Sequence, residues 1–139
     1  MQIQPYLFFE GRCEEALEFY KKAVGAKVEM LMRYKDNPEP PEASKAPPGS
    51  ENKVMHASLR VGETTVLASD GMCQGSPRFQ GFSLTLYAKD EAEAKRLFGA
   101  LANGGEARMP LAKTFFSPCF GMLADRFGVS WMVIVPAEA

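Results

Sequence analysis

Residues 54–71 read VMHASLRVGETTVLASDG and contain two β-strand patterns on either side of a tight turn. Val54–Val61 and Thr64–Ser69 are rich in apolar and β-branched residues, as strands with one buried face are. Gly62-Glu63 between them has the length and the glycine that suit a two-residue hairpin turn. This stretch therefore predicts an antiparallel hairpin that ends at Asp70-Gly71.

The residues before this hairpin add a strand, a helix and a second strand. Residues 5–9 form an apolar run that is typical of a buried strand. Cys13–Val24 has apolar residues at helical spacing, acidic residues near its start and lysines near its end, and Gly25 follows as a stop signal. Residues 28–34 form another strand pattern, so the first part of the chain predicts the order β-α-β-β-β.

The same order of elements occurs a second time. Four further strand patterns lie at 82–88, 107–111, 119–125 and 129–135, and a helix pattern runs from Asp90 as N-cap through Ala102. Matching residues support an internal duplication, since Arg60-Val61-Gly62 corresponds to Arg126-Phe127-Gly128. We therefore predict a single α+β domain over 1–139, with one βαβββ module in 1–72 and a second in 80–139.

A proline-rich insertion, residues 36–52, lies between the second and third strands of the first module. It holds five prolines and hardly any apolar side chain. Two interpretations stay open: a lid over a binding pocket, or a connecting loop without fixed structure.

The composition excludes several classes of partner. The chain is 46% hydrophobic and 24% charged with a formal charge of −1, which is ordinary for a globular protein. No block of like charges indicates a nucleic-acid or anionic-membrane surface. No apolar run has the length of a membrane span, and residues 1–5 do not resemble a signal peptide, so we expect a cytoplasmic protein.

Three cysteines and one histidine limit the metal chemistry. Cys13, Cys73 and Cys119 lie far apart without a CxxC pair, so we expect free, buried thiols rather than disulfides or a zinc site. A single histidine, His56, cannot supply the several imidazoles of a typical zinc or non-haem iron site within one subunit.

Five segments resemble the PhnB-like branch of the glyoxalase/bleomycin-resistance, or vicinal oxygen chelate, superfamily. They are PYLFFEG (5–11), EEALEFYKKAVGA (14–26), MHASLRVG (55–62), TTVLASDG (64–71) and DRFGVSW (125–131). The resemblance covers nearly the whole chain. It implies two modules whose mixed sheets curl into a cup-shaped cavity, and it implies a homodimer.

Metal-dependent members of that superfamily place one ligand on each of four strands. Carried over to this sequence, these positions fall at Pro5, with Gln4 as the neighbouring alternative, and at Val66, Ser83 and Met132. Proline and valine side chains cannot coordinate, serine is a weak ligand, and a lone thioether suits soft copper. The resemblance therefore implies a member with no metal and no other cofactor, and not a metal-dependent glyoxalase, dioxygenase or fosfomycin transferase.

Some PhnB-like sequences carry a demethylubiquinone methyltransferase label. The chain has no glycine-rich turn between a strand and a helix of the kind that opens a doubly wound cofactor-binding sheet. The sequence alone therefore gives that label no support.

The residues predicted to contact a ligand are spread over both modules: Val66, Ser83, Thr85, Tyr87, Phe116 and Met132. Alternation puts Ser83, Thr85 and Tyr87 on one strand face, which we expect to line the cup. A solvent-facing sheet surface is the alternative. Phe116 precedes the seventh strand, where it closes the cavity or packs at a subunit interface.

Three residues are candidates for acid–base catalysis: His56, Asp70 and Tyr87. Imidazole is the side chain best suited to exchange protons near neutral pH. A two-residue turn would pair His56 with Ser69 and point it away from the cup, whereas a one-residue change in loop length would turn it inward. Asp70 is expected at the rim of the cup, or simply in a turn.

Three functions are compatible with these features. The first is a protein that binds a small molecule without transforming it. The second is an enzyme that works without a metal, or with an atypical one, on a small polar metabolite. The third is a structural module whose dimer is the functional form. Whether the chain catalyses a reaction stays open.

Overall fold

Each half of the chain folds into one helix and one four-stranded mixed sheet. The computed structural model describes residues 1–39 and 46–137. The chain divides into two compact units, Met1–Pro77 and Arg78–Ala139. Both units follow the order β-α-β-β-β, so the predicted α+β fold of two modules is confirmed.

The first unit contains four strands, one helix and a short 3₁₀ turn. They are β1 (Tyr6–Phe8), α1 (Cys13–Val24), β2 (Lys27–Arg33), the turn (Tyr34–Asp36), β3 (Val54–Val61) and β4 (Thr64–Ser69). The sheet order is β1-β4-β3-β2, with β1 parallel to β4 and the other pairs antiparallel. The predicted bounds of α1, β3 and β4 are confirmed, and those of β1 and β2 differ by one residue at each end.

The second unit repeats this arrangement. Its elements are β5 (Leu84–Tyr87), α2 (Glu91–Ala102), β6 (Glu106–Ala112), β7 (Cys119–Ala124) and β8 (Ser130–Val135). The sheet order is β5-β8-β7-β6, and β5 runs parallel to β8. The predicted N-cap is confirmed, because the Asp90 side chain accepts a hydrogen bond of 2.8 Å from the Glu93 N–H.

One helix packs against each sheet. The buried residues of α1 recur at helical spacing: Cys13, Ala16, Leu17, Tyr20 and Ala23. The rings of Tyr20 and Phe9 are 6.2 Å apart, so α1 covers the sheet side that carries Leu7 and Phe9. In the second unit, a Cβ on Gly121 would lie 2.8 Å from the Phe98 ring, so glycine permits the close approach of α2 to β7. In the described part of the chain, no helix is long and apolar enough to cross a membrane.

The insertion between β2 and β3 is closed at its base. The Tyr34 N–H donates to the Lys53 carbonyl at 3.1 Å, and the Lys35 N–H donates to the Glu51 carbonyl at 3.0 Å. The Arg33 guanidinium donates to the Asn52 carbonyl at 2.7 Å and to the Glu14 carboxylate at 2.7 Å. Residues 40–45 lie outside the described residues, so whether the insertion is a lid or a connector stays open.

The cysteines are free thiols, as predicted. Cys13 and Cys119 are buried, whereas Cys73 is partly exposed and does not fit the expectation of burial. Trp131 is a core residue, and its indole N–H donates to the Asp125 carboxylate at 2.9 Å.

Candidate functional site

The side of the first sheet that is turned away from α1 forms a surface that we call the open face. Its members are Tyr6, Phe8, Met30, Met32, His56, Ser58, Leu67 and Ser69. The opposite side of the sheet holds core residues: Leu7, Ala57, Leu59, Val66 and Ala68. Aromatic, thioether and hydroxyl groups thus lie together on the open face, a composition that is typical of ligand-binding surfaces.

A tyrosine and the histidine meet on the open face. The Tyr6 hydroxyl oxygen lies 2.9 Å from His56 Nδ1, and the ring centroids are 5.5 Å apart. Tyr6 lies on β1 and His56 on β3, so this hydrogen bond reaches across β4. Burial raises the pKa of Tyr6, and a hydrogen bond with the Ser69 side chain offsets part of that rise. Tyr6 therefore remains a neutral phenol at neutral pH.

Two aromatic rings form a stacked pair beside this hydrogen bond. The Tyr6 and Phe8 centroids are 4.9 Å apart with 27° between the ring planes. Tyr6 is 37% exposed and Phe8 49% exposed. Met30, opposite Ser58 in the sheet, is exposed as well. Exposed rings and a thioether suit contact with a planar apolar group.

His56 lies on the open face. The two-residue turn is as expected, because Val61 lies opposite Thr64 and Ala57 opposite Ala68. His56 shares the open face with Tyr6. The sequence left the face of His56 open, because alternation along a strand does not reveal which side a helix covers.

The positions predicted in the first module for the superfamily metal ligands, Pro5 and Val66, are each wrong by one residue. The Phe9 N–H donates to the Ser69 carbonyl and the Ala88 N–H donates to the Ile134 carbonyl, both at 2.8 Å. The two bonds lie at the same place in the two modules. Tyr6 therefore corresponds to Thr85, and Leu67 corresponds to Met132. Val66, which was predicted to line the cup, instead lies buried on the side that α1 covers.

The same register corrects the first predicted ligand position. Thr85 follows Ser83 by two residues, as Tyr6 follows Gln4, so Gln4 corresponds to Ser83. The first ligand position therefore falls at Gln4, the neighbouring alternative, and not at Pro5. Leucine at position 67 has no donor atom, and a glutamine amide is a weak ligand for a divalent metal.

The second unit presents a comparable face of its own. Thr85 lies opposite Met132 and Tyr87 opposite Ile134, whereas Trp131 lies opposite Leu84. Thr85, Tyr87 and Met132 therefore lie on one face of the sheet, and Ser83 directly precedes β5. Tyr87 is 68% exposed. A ligand-binding role for these residues stays a prediction.

Phe116 contacts β7 within the second unit. Its ring centroid lies 4.9 Å from that of Phe120. Phe120 lies opposite Ile134 and so shares the sheet side of Tyr87. Phe116 therefore extends the aromatic surface of that side.

Asp70 is a buried hydrogen-bond acceptor and does not lie at an exposed rim. It is 1% exposed. Its Oδ1 accepts from the N–H groups of Gly11 and Cys13 at 2.9 and 2.8 Å, and its Oδ2 accepts from the Val54 N–H at 2.7 Å. The carboxylate joins the end of β4 to the start of α1 and the start of β3, which is a structural role.

Four residues of this region were not predicted from the sequence: Tyr6, Phe8, Tyr34 and Ser69. Alternation in PYLFF already separates Tyr6 and Phe8 from Leu7 and Phe9, but the sequence does not indicate which pair faces the helix. The Tyr34 hydroxyl donates to the Gly71 carbonyl at 2.5 Å, and burial raises the pKa of Tyr34. This bond joins the end of β2 to the end of β4.

Carboxylates, thiols and imidazoles are the side chains that hold divalent metals in proteins. Within residues 1–39 and 46–137, no group of three or more such side chains is positioned to hold a metal ion.

Comparisons with known proteins give relatives along the whole chain. The model of a family described as 3-demethylubiquinone-9 3-methyltransferase matches residues 1–134. Protein YjdN of Escherichia coli strain K12 is 32% identical over 140 residues, which cover 97% of this chain and 95% of YjdN.

Solved structures support the same relationship. The crystal structure of protein PA1353 from Pseudomonas aeruginosa has a TM-score of 0.84 and 41% identity, with 99% of each chain covered. The PhnB protein from Bacillus cereus has a TM-score of 0.80 and 31% identity, covering 97% of this chain and 99% of the other. A glyoxylase/bleomycin resistance protein/dioxygenase domain from Frankia sp. EAN1pec, at 12% identity and a TM-score of 0.65 over 98% and 95% of the chains, shares the fold.

Proposed function

Because the chain belongs to the 3-demethylubiquinone-9 3-methyltransferase family, the PhnB-like branch of the vicinal oxygen chelate superfamily, we propose that it binds a small organic molecule on the open face. The observation that carries this proposal is the cluster of Tyr6, Phe8 and His56. Adjacent exposed aromatic rings beside a polar group are a common feature of small-molecule sites. Methyl transfer belongs to the description of the family and is not part of this proposal.

Binding without a metal is the second part of the proposal. The positions equivalent to superfamily metal ligands carry Gln4, Leu67, Ser83 and Met132 after correction of the alignment. This set contains no carboxylate, imidazole or thiolate, the groups that hold divalent metals tightly.

An enzyme is the alternative function, and one observation favours it. The hydrogen bond between Tyr6 and His56 joins a phenol and an imidazole, two groups that exchange protons. His56 would then be the acid–base residue for a small polar metabolite. Asp70 is a weaker candidate, because three backbone N–H groups occupy its carboxylate, and Tyr87 remains a candidate in the second unit.

Assembly and location complete the proposal. The resemblance to the superfamily supports a homodimer in which the two modules of each chain form one domain. A cytoplasmic location stays part of this proposal. Native mass spectrometry will report a mass of twice the chain if the dimer forms.

Co-purified material is the first test of ligand binding. Untagged protein is analysed by native mass spectrometry and by elemental analysis. We expect an organic adduct and less than stoichiometric metal. One tightly held transition metal for each chain would contradict the metal-independent proposal.

Substitution of the stacked pair tests the location of the site. Phe8→Ala removes a partly exposed ring from the open face and should weaken binding of the co-purified compound about tenfold, the usual scale for truncation of an aromatic contact. Phe115→Ala is the control, because Phe115 is fully exposed in the second unit. Equal affinities for the parent and Phe8→Ala would show that the ligand binds elsewhere.

A further inference from the structure

Three methionines lie side by side across the second sheet. Met109 on β6 lies opposite Met122 on β7, and Met122 lies opposite Met132 on β8. Residues that are opposite each other on neighbouring strands point to the same side of the sheet. We call these three residues the methionine row. Thr85 on β5, opposite Met132, continues the row to the far edge of the sheet.

Met132 is therefore not an isolated thioether. Met109 and Met122 are distant from it in the sequence, so spacing alone gives no sign of the row. The pairing of β6, β7 and β8 places both of them beside it. Thioether sulfur is a soft ligand that selects copper(I). Three thioethers together form a soft donor set.

The methionine side chains are long enough to share one ion. Opposite residues of antiparallel strands have Cβ atoms about 4.5–5.5 Å apart. A methionine side chain has three rotatable bonds, so the sulfurs of Met109 and Met132 can lean toward that of Met122. The row is also accessible from solvent, because Met109 is 45% exposed and the other two are partly exposed.

An irregularity of the backbone brings Met109 into the row. Ala107 lies opposite Leu123, a buried residue on the other side of the sheet. In a regular strand, residues 107 and 109 would share that side. A register shift between them instead puts Met109 opposite Met122. Bulges commonly re-aim side chains in this way next to functional sites.

The first unit provides an internal comparison. A register shift between Val28 and Met30 puts Met30 opposite Ser58, and Ser58 lies opposite Leu67. The bulge is therefore a feature of both modules. The second unit fills all three equivalent positions with thioethers, whereas the first unit fills one.

A nearby positive charge favours a monovalent ion over a divalent one. The Arg108 guanidinium donates to Ser130 Oγ at 3.1 Å. Ser130 lies opposite Ala124, on the side of the sheet that carries Met122 and Met132. Arg108 repels a divalent cation about twice as strongly as a monovalent one, and uncharged thioethers do not offset this repulsion.

We propose that Met109, Met122 and Met132 bind a soft monovalent metal ion of the copper group, copper(I) or its stable analogue silver(I). The site consists of residues of the second unit and does not use the open face, so it goes beyond the proposed function. Three uncharged sulfurs hold such an ion more weakly than thiolates do, because no ligand charge offsets that of the ion. Protein purified without added copper should therefore still contain less than stoichiometric metal.

Silver titration of protein labelled with carbon-13 at the methionine methyl groups tests this site. The chain has eight methionines, so each methyl signal can be assigned with one Met→Leu variant. The titration uses a Cys73→Ser background and a buffer without chloride, because the partly exposed Cys73 thiol competes for silver. We expect the three signals of the methionine row to shift together and to reach saturation at one silver ion for each chain.

One substitution in the row and one outside it measure the contribution of the central sulfur. Met122→Leu removes that sulfur with little change in volume. It should weaken silver binding at least about tenfold, because even changes to groups that only support metal ligands cost that much. Met72→Leu is the control, because Met72 is an exposed thioether outside the strands, and its loss should leave the affinity unchanged.

Two results would overturn the proposal. The first is a titration in which the signals of the methionine row do not saturate, or in which Met122→Leu binds silver as tightly as the parent. The second is a shift confined to Met30 and Met32, which would place the ion beside His56 on the open face. Neither result bears on binding of an organic molecule, which the co-purified compound and Phe8→Ala test separately.

Discussion

The Asp70 carboxylate shows how one side chain can organise a module. Asp70 follows β4 in the chain. It accepts hydrogen bonds from N–H groups just before α1, at the start of α1 and at the start of β3. α1 has no side-chain cap from Arg12 at its own N-terminus. The bond from the Cys13 N–H to Asp70 replaces that cap, so a residue that is distant in sequence stabilises the start of the helix.

Replacement of Asp70 should destabilise the fold strongly. Asp70→Ala leaves the N–H groups of Gly11, Cys13 and Val54 without their acceptor at a buried position. We expect the free energy of unfolding to fall by about 3 kcal/mol or more in urea titrations. Asp90→Ala is the control, because loss of an exposed N-cap costs about 1 kcal/mol. Similar losses for the two variants would show that Asp70 contributes little beyond an ordinary cap.

Thiol reactivity should differ among the three cysteines. Burial raises the pKa of Cys13, Cys73 and Cys119. A raised pKa lowers the thiolate fraction at neutral pH, so each should react with iodoacetamide more slowly than free cysteine does. Partly exposed Cys73 should be labelled first as pH rises, and the buried pair only after unfolding. Peptide mass spectrometry would detect the opposite result, early labelling of Cys13 in the native protein.

At the scale of elements, each helix has one glycine whose structural role differs from that of the other. Gly25 ends α1 with φ of +67°, in the left-handed region, and its N–H donates to the Tyr20 carbonyl. Gly99 lies inside α2, and an added Cβ there would meet nothing within 4 Å. The first glycine is required by the backbone, whereas the second only weakens its helix.

Alanine at these positions should therefore have effects of opposite sign. Gly99→Ala is expected to raise the free energy of unfolding by about 0.5–1 kcal/mol, because alanine loses less entropy in a helix. Gly25→Ala should lower it by about 1 kcal/mol, because an L-residue is strained at positive φ. Urea unfolding of both variants measures the difference. A change of the same sign in both would contradict this account of the helix ends.

The elements were predictable because local patterns determine them. The apolar spacing of Cys13–Val24, the cap at Asp90 and the turn at Gly62-Glu63 each have a local physical cause, and the structure agrees with all three. The faces of β1 and β4 were less predictable. Their orientation depends on which side α1 covers, and that depends on contacts such as Phe9 with Tyr20. A shift of one residue placed Val66 among the predicted ligand contacts, although it is buried on the side that α1 covers.

At the scale of the molecule, the duplication was visible in the sequence because both modules keep the same order of elements. The candidate site was not visible in the sequence, because the open face of the first sheet and the corresponding face of the second sheet carry different residues. Tyr6 corresponds to Thr85 and Phe8 to Tyr87. The hydrogen bond of Tyr6 joins strands that are 50 residues apart in the chain, and spacing gives no sign of such a contact.

Ligand binding should be visible in the stability of the whole protein. A ligand that binds the native state alone, present at a hundredfold excess over its Kd, stabilises that state by about 2.7 kcal/mol. We therefore expect the co-purified compound, added back to protein from which it has been removed, to raise the Tm of the parent in a concentration-dependent way. Phe8→Ala should show a smaller rise at an equal concentration of the compound. A Tm that does not change at any concentration would count against binding to the native state.

Because the insertion between β2 and β3 is closed at its base, its length can change with little effect on the sheet. Hydrogen bonds of Tyr34 with Lys53 and of Lys35 with Glu51 join the chain before and after the insertion. The entropic cost of a longer loop grows slowly, by roughly 0.6 kcal/mol for each doubling of its length. Evolution can therefore lengthen or shorten this segment at little cost to the sheet, and the same property makes it a suitable position for a peptide epitope or a fluorescent reporter.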